Sequence, residues 1–263
     1  MQVGITQMVL PQLPVAEFAA QAAAANYEVV ELSLKREGEI TPDLSEAQLS
    51  QIAADVRGAG VEPVSLVHAH TTGNLLESGD AQRASIDETM RGLQVAKAMG
   101  IGCTLHTLGR IDADLYYDDA YANAVFSLKE IAREAERLGV DLAVEFVWNG
   151  FLFSPLEMKR FLDEVGSTRI GFYFDPGNMA VFQFPQHWAR ITGAHIKMAH
   201  VKDWQGRALS GGWTPLLEGE VDFSAVMREL RAAGYDGPLI SEVSVSDAPI
   251  EDTAKAIRKI IAL

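Results

Sequence analysis

The chain of 263 residues contains one cysteine, Cys103, set in the apolar run "IGCTL". No disulfide can form within the chain, and a lone thiol among apolar neighbours reads as a small buried hydrophobe. Bases are scarce too: 22 Lys and Arg stand against 36 Asp and Glu, a formal net charge of −14 at pH 7, with no basic block anywhere. A surface of that sign repels phosphate backbones and anionic headgroups, so nucleic acid and membrane are not expected partners, although a local basic pocket for one phosphate stays open. The amino-terminal "MQVGITQMVLPQLP" has neither a basic start nor a long apolar stretch, so no signal peptide or spanning segment is expected and the cytoplasm is the expected compartment. Low-complexity tracts and linker-like stretches are also missing. So is a glycine-rich phosphate loop after the first strand, where "TQMVLPQLP" stands instead, which argues against a doubly wound dinucleotide fold.

What is present is a large apolar fraction, 48% against 22% charged residues, as expected of a globular chain with a sizeable core. Eight short β-rich runs recur along it: 2–7, 28–32, 62–68, 102–106, 142–146, 170–175, 196–201 and 238–243. They are mostly apolar without alternation, the pattern of strands covered on both faces. Helical stretches lie between them, and their ends are punctuated. Ser154-Pro155-Leu156-Glu157 and Thr41-Pro42-Asp43 read as helix starts. Gly60, Gly100, Gly139, Gly166 and Gly234 read as left-handed helix stops. A strand–helix unit repeated eight times without a break predicts an α/β fold, a single-domain (β/α)8 barrel spanning residues 1–263.

In such a barrel the carboxyl ends of the strands form the active-site mouth. The polar residues there are Glu31, His68, His70, His106, Glu145, Asp175, His200 and Glu242. Side chains alternate along a strand, so an inward Glu145 puts Ala143 inside and Val144 outside; Glu242 goes with Ile240, and His200 with Met198. Strands five to eight then deliver Glu145, Asp175, His200 and Glu242 to one ring. A single strand-end acid is often only a helix cap or an ion-pair partner. Three carboxylates converging in one mouth repel each other unless a cation sits among them. An oxygen-rich set with one imidazole suits Mn²⁺ first, with Mg²⁺ or Co²⁺ as alternatives, better than a thiolate-type zinc site.

The motifs carrying these residues are "YEVVELS" with Glu31, "VEF" with Glu145, "FDPGN" with Asp175, "AHVKDWQGR" with His200 and "LEGEVDFSAVMRELRAAGYDGPLISE" leading to Glu242. Together, over essentially the whole chain, they resemble the xylose-isomerase-like superfamily of barrels, which includes ketohexose 3-epimerases, dehydratases and endonuclease IV. The resemblance implies one divalent metal ion held by Glu145, Asp175, His200 and Glu242, with Glu145 and Glu242 as the acid/base pair. It further implies a sugar or polyol substrate, a ketose or keto-sugar that could carry a phosphate. Such a cation would acidify the proton next to a bound carbonyl and stabilise the enediolate, while the two carboxylates exchange that proton. A dehydratase acting on a keto-cyclitol or dehydroshikimate-like substrate is the alternative and needs an extra acid, His106 or Lys202.

This chain departs from the ketohexose epimerase pattern at two places: Asn178 stands where those enzymes carry a histidine, and Phe151 where they carry a glutamate. Asn178 is expected to touch substrate or support a ligand, but it cannot act as a zinc-binding histidine. With the acidic surface, this argues against a multi-zinc nuclease.

Other residues are assigned to the substrate side. His106 is expected to face the mouth, and one of His68 and His70 to lie beside substrate. Glu31, Lys202 and Arg207 are further binding candidates; the two bases could equally pair with Asp203 or Glu218. Trp148, Phe151, Phe153, Trp204 and Trp213 fall on loops after strands five and seven. They could form an apolar wall against a sugar, pack a lid, or make a homo-oligomer contact.

Overall fold

The computed structural model describes all residues 1–263. Eight parallel strands close into a barrel: β1 (Val3–Thr6), β2 (Val29–Leu34), β3 (Glu62–His68), β4 (Cys103–His106), β5 (Asp141–Glu145), β6 (Ile170–Phe174), β7 (Ile196–Val201) and, last in the chain, β10 (Leu239–Ser241). Closure comes from β1, which pairs with β2 on one side and with β10 on the other, Val3 opposite Leu239. All eight expected strands are present, with small shifts at their ends.

The strands are buried on both faces, and the two faces carry different cores. The outer layer, between strands and helices, holds a cluster of 65 buried residues including Leu32, Leu66, Val144, Phe172 and Trp188. The barrel interior holds only seven: Val67, Cys103, Leu105, Ala143, Tyr173, Met198 and Ile240. Most of the apolar burial that favours folding therefore lies outside the barrel wall, which leaves the upper interior free for polar groups. Gly4 belongs to the tight interior, since a Cβ there would stand 2.8 Å from Ile240 Cγ1 and from Val29 Cγ2.

The main connecting helices are α1 (Val15–Ala24), α2 (Glu46–Gly58), α3 (Gly79–Met99), α4 (Tyr117–Leu138), α5 (Pro155–Val165), α8 (Phe223–Ala232) and α9 (Ile250–Ala262). The five expected glycine stops all have positive φ, from 69° at Gly139 to 99° at Gly60. Thr41-Pro42-Asp43 does not start a helix, however. That helix is capped instead by Ser45, whose hydroxyl accepts from Gln48 N while the Gln48 side chain accepts from Ser45 N, a reciprocal cap.

Two pieces of the mouth have no counterpart among the eight expected strands. Directly after β6 the chain forms a short helix α6 (Pro176–Ala180) and then α7 (Pro185–Thr192). After β7 it forms an antiparallel hairpin, β8 (Asp203–Gln205) with β9 (Gly212–Thr214). Buried Asp203 anchors this hairpin, its carboxylate accepting from the backbone N–H of Trp204, Leu217, Gly219 and Val221. No helix is long and apolar enough to cross a membrane.

Candidate metal centre at the barrel mouth

Glu145 ends β5, Asp175 follows β6, His200 lies in β7 and Glu242 follows β10. Strand alternation carries all four inward, above Ala143, Tyr173, Met198 and Ile240 of the interior core. Each offers one ligand atom within 4.8 Å of the others'. His200 Nδ1 faces the ring, 3.4 Å from Glu145 Oε1 and 3.2 Å from Glu242 Oε2. Asp175 serves two purposes with its two oxygens. Oδ1 accepts from Gly177 N at 2.9 Å and Asn178 N at 3.2 Å, capping α6, while Oδ2 stands 2.8 Å from Lys202 Nζ. Three carboxylates and one imidazole, all with atoms on one small volume, fit a hard divalent cation.

The two glutamates are held by different partners. Asn178 Nδ2 donates to Glu145 Oε1 at 3.2 Å and to Phe146 O at 3.1 Å, which uses both amide hydrogens inside the protein. Asn178 is therefore a support for Glu145, and its backbone carbonyl accepts from Trp148 Nε1. Glu242 instead accepts from Lys202 Nζ at 2.7 Å. Their proton affinities part accordingly. Burial pushes Glu145 up to about 7 against the pull of His200. For Glu242 burial is outweighed by hydrogen bonds and charge from His200 and Lys202, which take it down to about 2.

Glu31 was expected on the substrate side, and the structure places it beneath the ring instead. It is fully buried, with Oε1 2.9 Å from His200 Nε2, and Oε2 accepting from Tyr173 Oη at 2.5 Å and Ser65 Oγ at 2.7 Å. Burial raises the carboxyl's pKa, but His200, Tyr173 and Ser65 together hold it below the usual carboxylate value. Burial and the adjacent Glu31 charge push the Tyr173 phenol far up, so it stays a donor. A carboxylate behind a ligating imidazole fixes the ring's tautomer and direction. Tyr173 and Ser65 escaped the sequence reading, although Tyr173 had a visible signal: it lies two residues before Asp175, on the same inward parity.

The three other mouth histidines do not join the ring. Val67, Cys103 and Leu105 face the interior, so His68 and His106, each one residue further along its strand, face outward. The His68 ring lies against α3, where a Cβ on Gly92 would stand 2.6 Å from it. His106 Nε2 is 3.3 Å from Thr89 Oγ1 of α3, and its Nδ1 accepts from Leu108 N. His70 Nε2 bonds Glu88 O, again on α3. The rings of His70 and His106 sit edge-on to His68 at 5.3 and 5.7 Å, forming a buried cluster behind the wall. Burial lowers the pKa of all three, that of His106 to about 4. The expectation that His106 and one of His68 and His70 contact substrate is thereby corrected.

Lys202 pairs with Asp175 and Glu242 rather than with Asp203 or Glu218, and its ammonium lies 5.1 Å from the centre of the Trp213 ring. Arg207 is exposed in the turn between β8 and β9 and is not brought to the ring. Phe151 is buried against Tyr117 and Phe161, and half-buried Phe153 packs against Phe146 and Phe182, so both are packing residues. The three tryptophans do meet at the mouth. Trp148 and Trp213 are parallel with centres 5.5 Å apart, and Trp204 stands edge-on to Trp213 at 5.0 Å. Between Glu242, Lys202 and Trp213 opens a cleft of about 260 Å³.

Comparison with known proteins agrees with this architecture. The uncharacterized protein MJ1311 of Methanocaldococcus jannaschii is 24% identical over 145 residues, 54% of this chain and 48% of that protein, so the chain spans about half the length of the curated relative it matches. Among solved structures, D-psicose 3-epimerase of Clostridium cellulolyticum H10 superposes with a TM-score of 0.84 at 16% identity, covering 100% of this chain and 98% of that one. A D-tagatose 3-epimerase-like protein superposes at 0.80 with 20% identity, over 100% and 97% of the two chains. The model of the xylose isomerase-like TIM barrel family matches residues 19–263, nearly the entire barrel and all four residues of the ring, and the chain belongs to that family.

Proposed function

We propose that this protein is a divalent-metal-dependent isomerase or epimerase acting on a ketose or keto-sugar. The observation carrying this reading is the ring of Glu145, Asp175, His200 and Glu242, whose ligand atoms lie within 4.8 Å of one another at the mouth. The similar solved structures named for psicose and tagatose epimerases support the same reaction class. Mn²⁺ is the first choice for this donor set, with Mg²⁺ or Co²⁺ as substitutes. When bound, such a cation supplies Lewis-acid polarisation of a substrate carbonyl.

The protein's own groups supply the proton traffic. Glu145, held by Asn178, and Glu242, held by Lys202, project from β5 and from the end of β10. One carboxylate removes the proton from the carbon next to the carbonyl, and the other returns a proton. Return from the opposite face inverts that carbon and gives epimerisation; return by the same acid to the neighbouring carbon gives aldose–ketose isomerisation. Asn178 and Lys202 hold the glutamates in fixed directions, which limits the rotamers lost on reaching the reactive geometry. A dehydratase retains only Lys202 as its extra acid, because His106 lies behind the barrel wall.

The test is solvent deuterium incorporation at the carbon beside the carbonyl, followed by NMR over a ketose panel in saturating Mn²⁺. Exchange is expected for at least one ketose, with chelator treatment abolishing it. Glu145→Gln and Glu242→Gln are expected to retain Mn²⁺ and lose exchange. Exchange with no ketose in the panel rules the reading out, and a new ultraviolet-absorbing enone product replaces it with the dehydratase.

A further inference from the structure

The cleft beside Glu242 extends away from the ring, between the β8–β9 hairpin and the loop after β10, and the proton transfer proposed above needs none of that outer space. Its volume of about 260 Å³ is on the order of nine times the ~30 Å³ share of a water molecule, the scale of one monosaccharide ring. Glu242 and Lys202 form its inner end, and Trp213, Thr214, Ser244 and Asp247 line the rest. We propose that this cleft is a second saccharide subsite, so that the protein's preferred substrate is a glycosylated ketose whose neutral sugar substituent stacks on Trp213. This inference rests on the keto-sugar reading of the ring.

The lining has the two chemistries a pyranose requires. A sugar ring presents C–H groups on its flat face and hydroxyls around its edge, so it binds best where a flat apolar surface is rimmed by polar atoms. Trp213 supplies the surface and remains 38% exposed. Its indole is braced by parallel Trp148 and edge-on Trp204, and a Cβ on Gly177 would lie 3.1 Å from its Cζ3. A platform held this way loses little side-chain entropy when a ligand stacks on it. The rim offers the Ser244 hydroxyl, the Asp247 carboxylate and the Thr214 hydroxyl, whose oxygen is buried without a hydrogen-bond partner.

Charge decides what the substituent is. With Glu242 taken up by the ring's cation, Asp203 and Asp247 still line the cleft against a single cation, Lys202, which is already paired with Asp175 and Glu242. A phosphate or carboxylate entering here meets net negative charge in a partly desolvated space. A neutral sugar meets acceptors for its hydroxyls.

Titration calorimetry on the Mn²⁺-loaded protein separates these ligands without requiring turnover. The probes are glycosyl-ketoses (lactulose, turanose, maltulose), free fructose and fructose 6-phosphate. At least one glycosyl-ketose is expected to bind on the order of tenfold more tightly than fructose, about 1.4 kcal/mol, with the phosphate ester binding more weakly than fructose. Trp213→Ala should erase most of that advantage, lowering glycosyl-ketose affinity far more than fructose affinity. Asp247→Ala should do the same in part, and it keeps the test available if loss of the indole unfolds the hairpin. The subsite is overturned if no glycosyl-ketose outbinds fructose, if fructose 6-phosphate binds best, or if the advantage survives both substitutions. Failure of the underlying reaction looks different: a glycosyl-ketose then binds with its Trp213-dependent advantage, yet no ketose exchanges deuterium.

Discussion

Glu31 is the residue whose replacement best tests the account of the ring. Removing it outright, as Glu31→Ala, deprives the buried groups of Tyr173, Ser65 and His200 of their common acceptor. At about 1–3 kcal/mol for each buried donor left unpaired, the sum approaches the total stability of an ordinary domain, about 5–15 kcal/mol. That variant would report on folding alone. Glu31→Gln is the informative change. Its amide oxygen can still accept from Tyr173 and Ser65, which places its NH2 group against His200 Nε2, now 2.9 Å from Oε1. Two N–H donors cannot face each other, so His200 must carry its proton on Nδ1. Nδ1 is the nitrogen that faces Glu145 and Glu242.

The expected outcome is a dissociation of two effects. Stability should fall by only about 1–2 kcal/mol, the difference between a charge-assisted and a neutral hydrogen bond. Mn²⁺ affinity should fall on the order of 10- to 100-fold, because the imidazole no longer presents a lone pair to the ring. Electron paramagnetic resonance titration of free Mn²⁺ measures the affinity, thermal unfolding measures the stability, and nitrogen-15 NMR of the histidines reports the tautomer. Wild-type Mn²⁺ affinity in Glu31→Gln, with Nδ1 unprotonated, would refute the reasoning and reduce Glu31 to a packing role.

Two further predictions test the surroundings of the ring. The His106 pKa is held near 4 in the folded protein against an ordinary value of 6.5, so the unfolded chain binds the extra proton between those values and folding loses about 3 kcal/mol from this group as pH falls from 6.5 to 4. Glu145, raised to about 7, acts with the opposite sign, so the measurement must be a difference: in urea unfolding, the stability of wild type minus that of His106→Asn should shrink by about 3 kcal/mol from pH 7 to pH 4, and parallel curves would disprove the burial argument. Gly177→Ala should loosen the mouth, since its Cβ would stand 2.5 Å from Lys202 Cβ and 3.1 Å from the Trp213 ring. A loss of about 1–3 kcal/mol with a red-shifted tryptophan emission is expected, and an unchanged melt and spectrum would show that the hairpin does not rest on Gly177.

How far the sequence reveals this site depends on whether one strand can be read without its neighbour. On β5, β6, β7 and β10 it can, because a charged strand-end residue has only one face that accepts it, and Ala143, Tyr173, Met198 and Ile240 then follow inward by alternation. On β4 the segment "CTLH" offers Cys103 and Leu105 on one face and Thr104 and His106 on the other, and either set is a plausible lining for a mouth. What decides it lies in α3, whose inner face carries Ser85, Thr89 and Gly92. Those small and polar side chains make room behind the wall for His68 and His106, at the four- and three-residue spacing of one helical face. The signal therefore lies in the helix between the two strands, after His68 and before His106, and it becomes readable only when the helix is treated as the partner of the strand. The same logic separates Glu31 from the ring acids. Its motif resembles theirs, but it sits three residues before the end of β2 rather than at a strand tip, so its carboxylate meets the buried Tyr173 phenol below the mouth. Depth along the strand, and not residue type, sets Glu31 against His200 Nε2 beneath the ring and Glu145 against His200 Nδ1 within it.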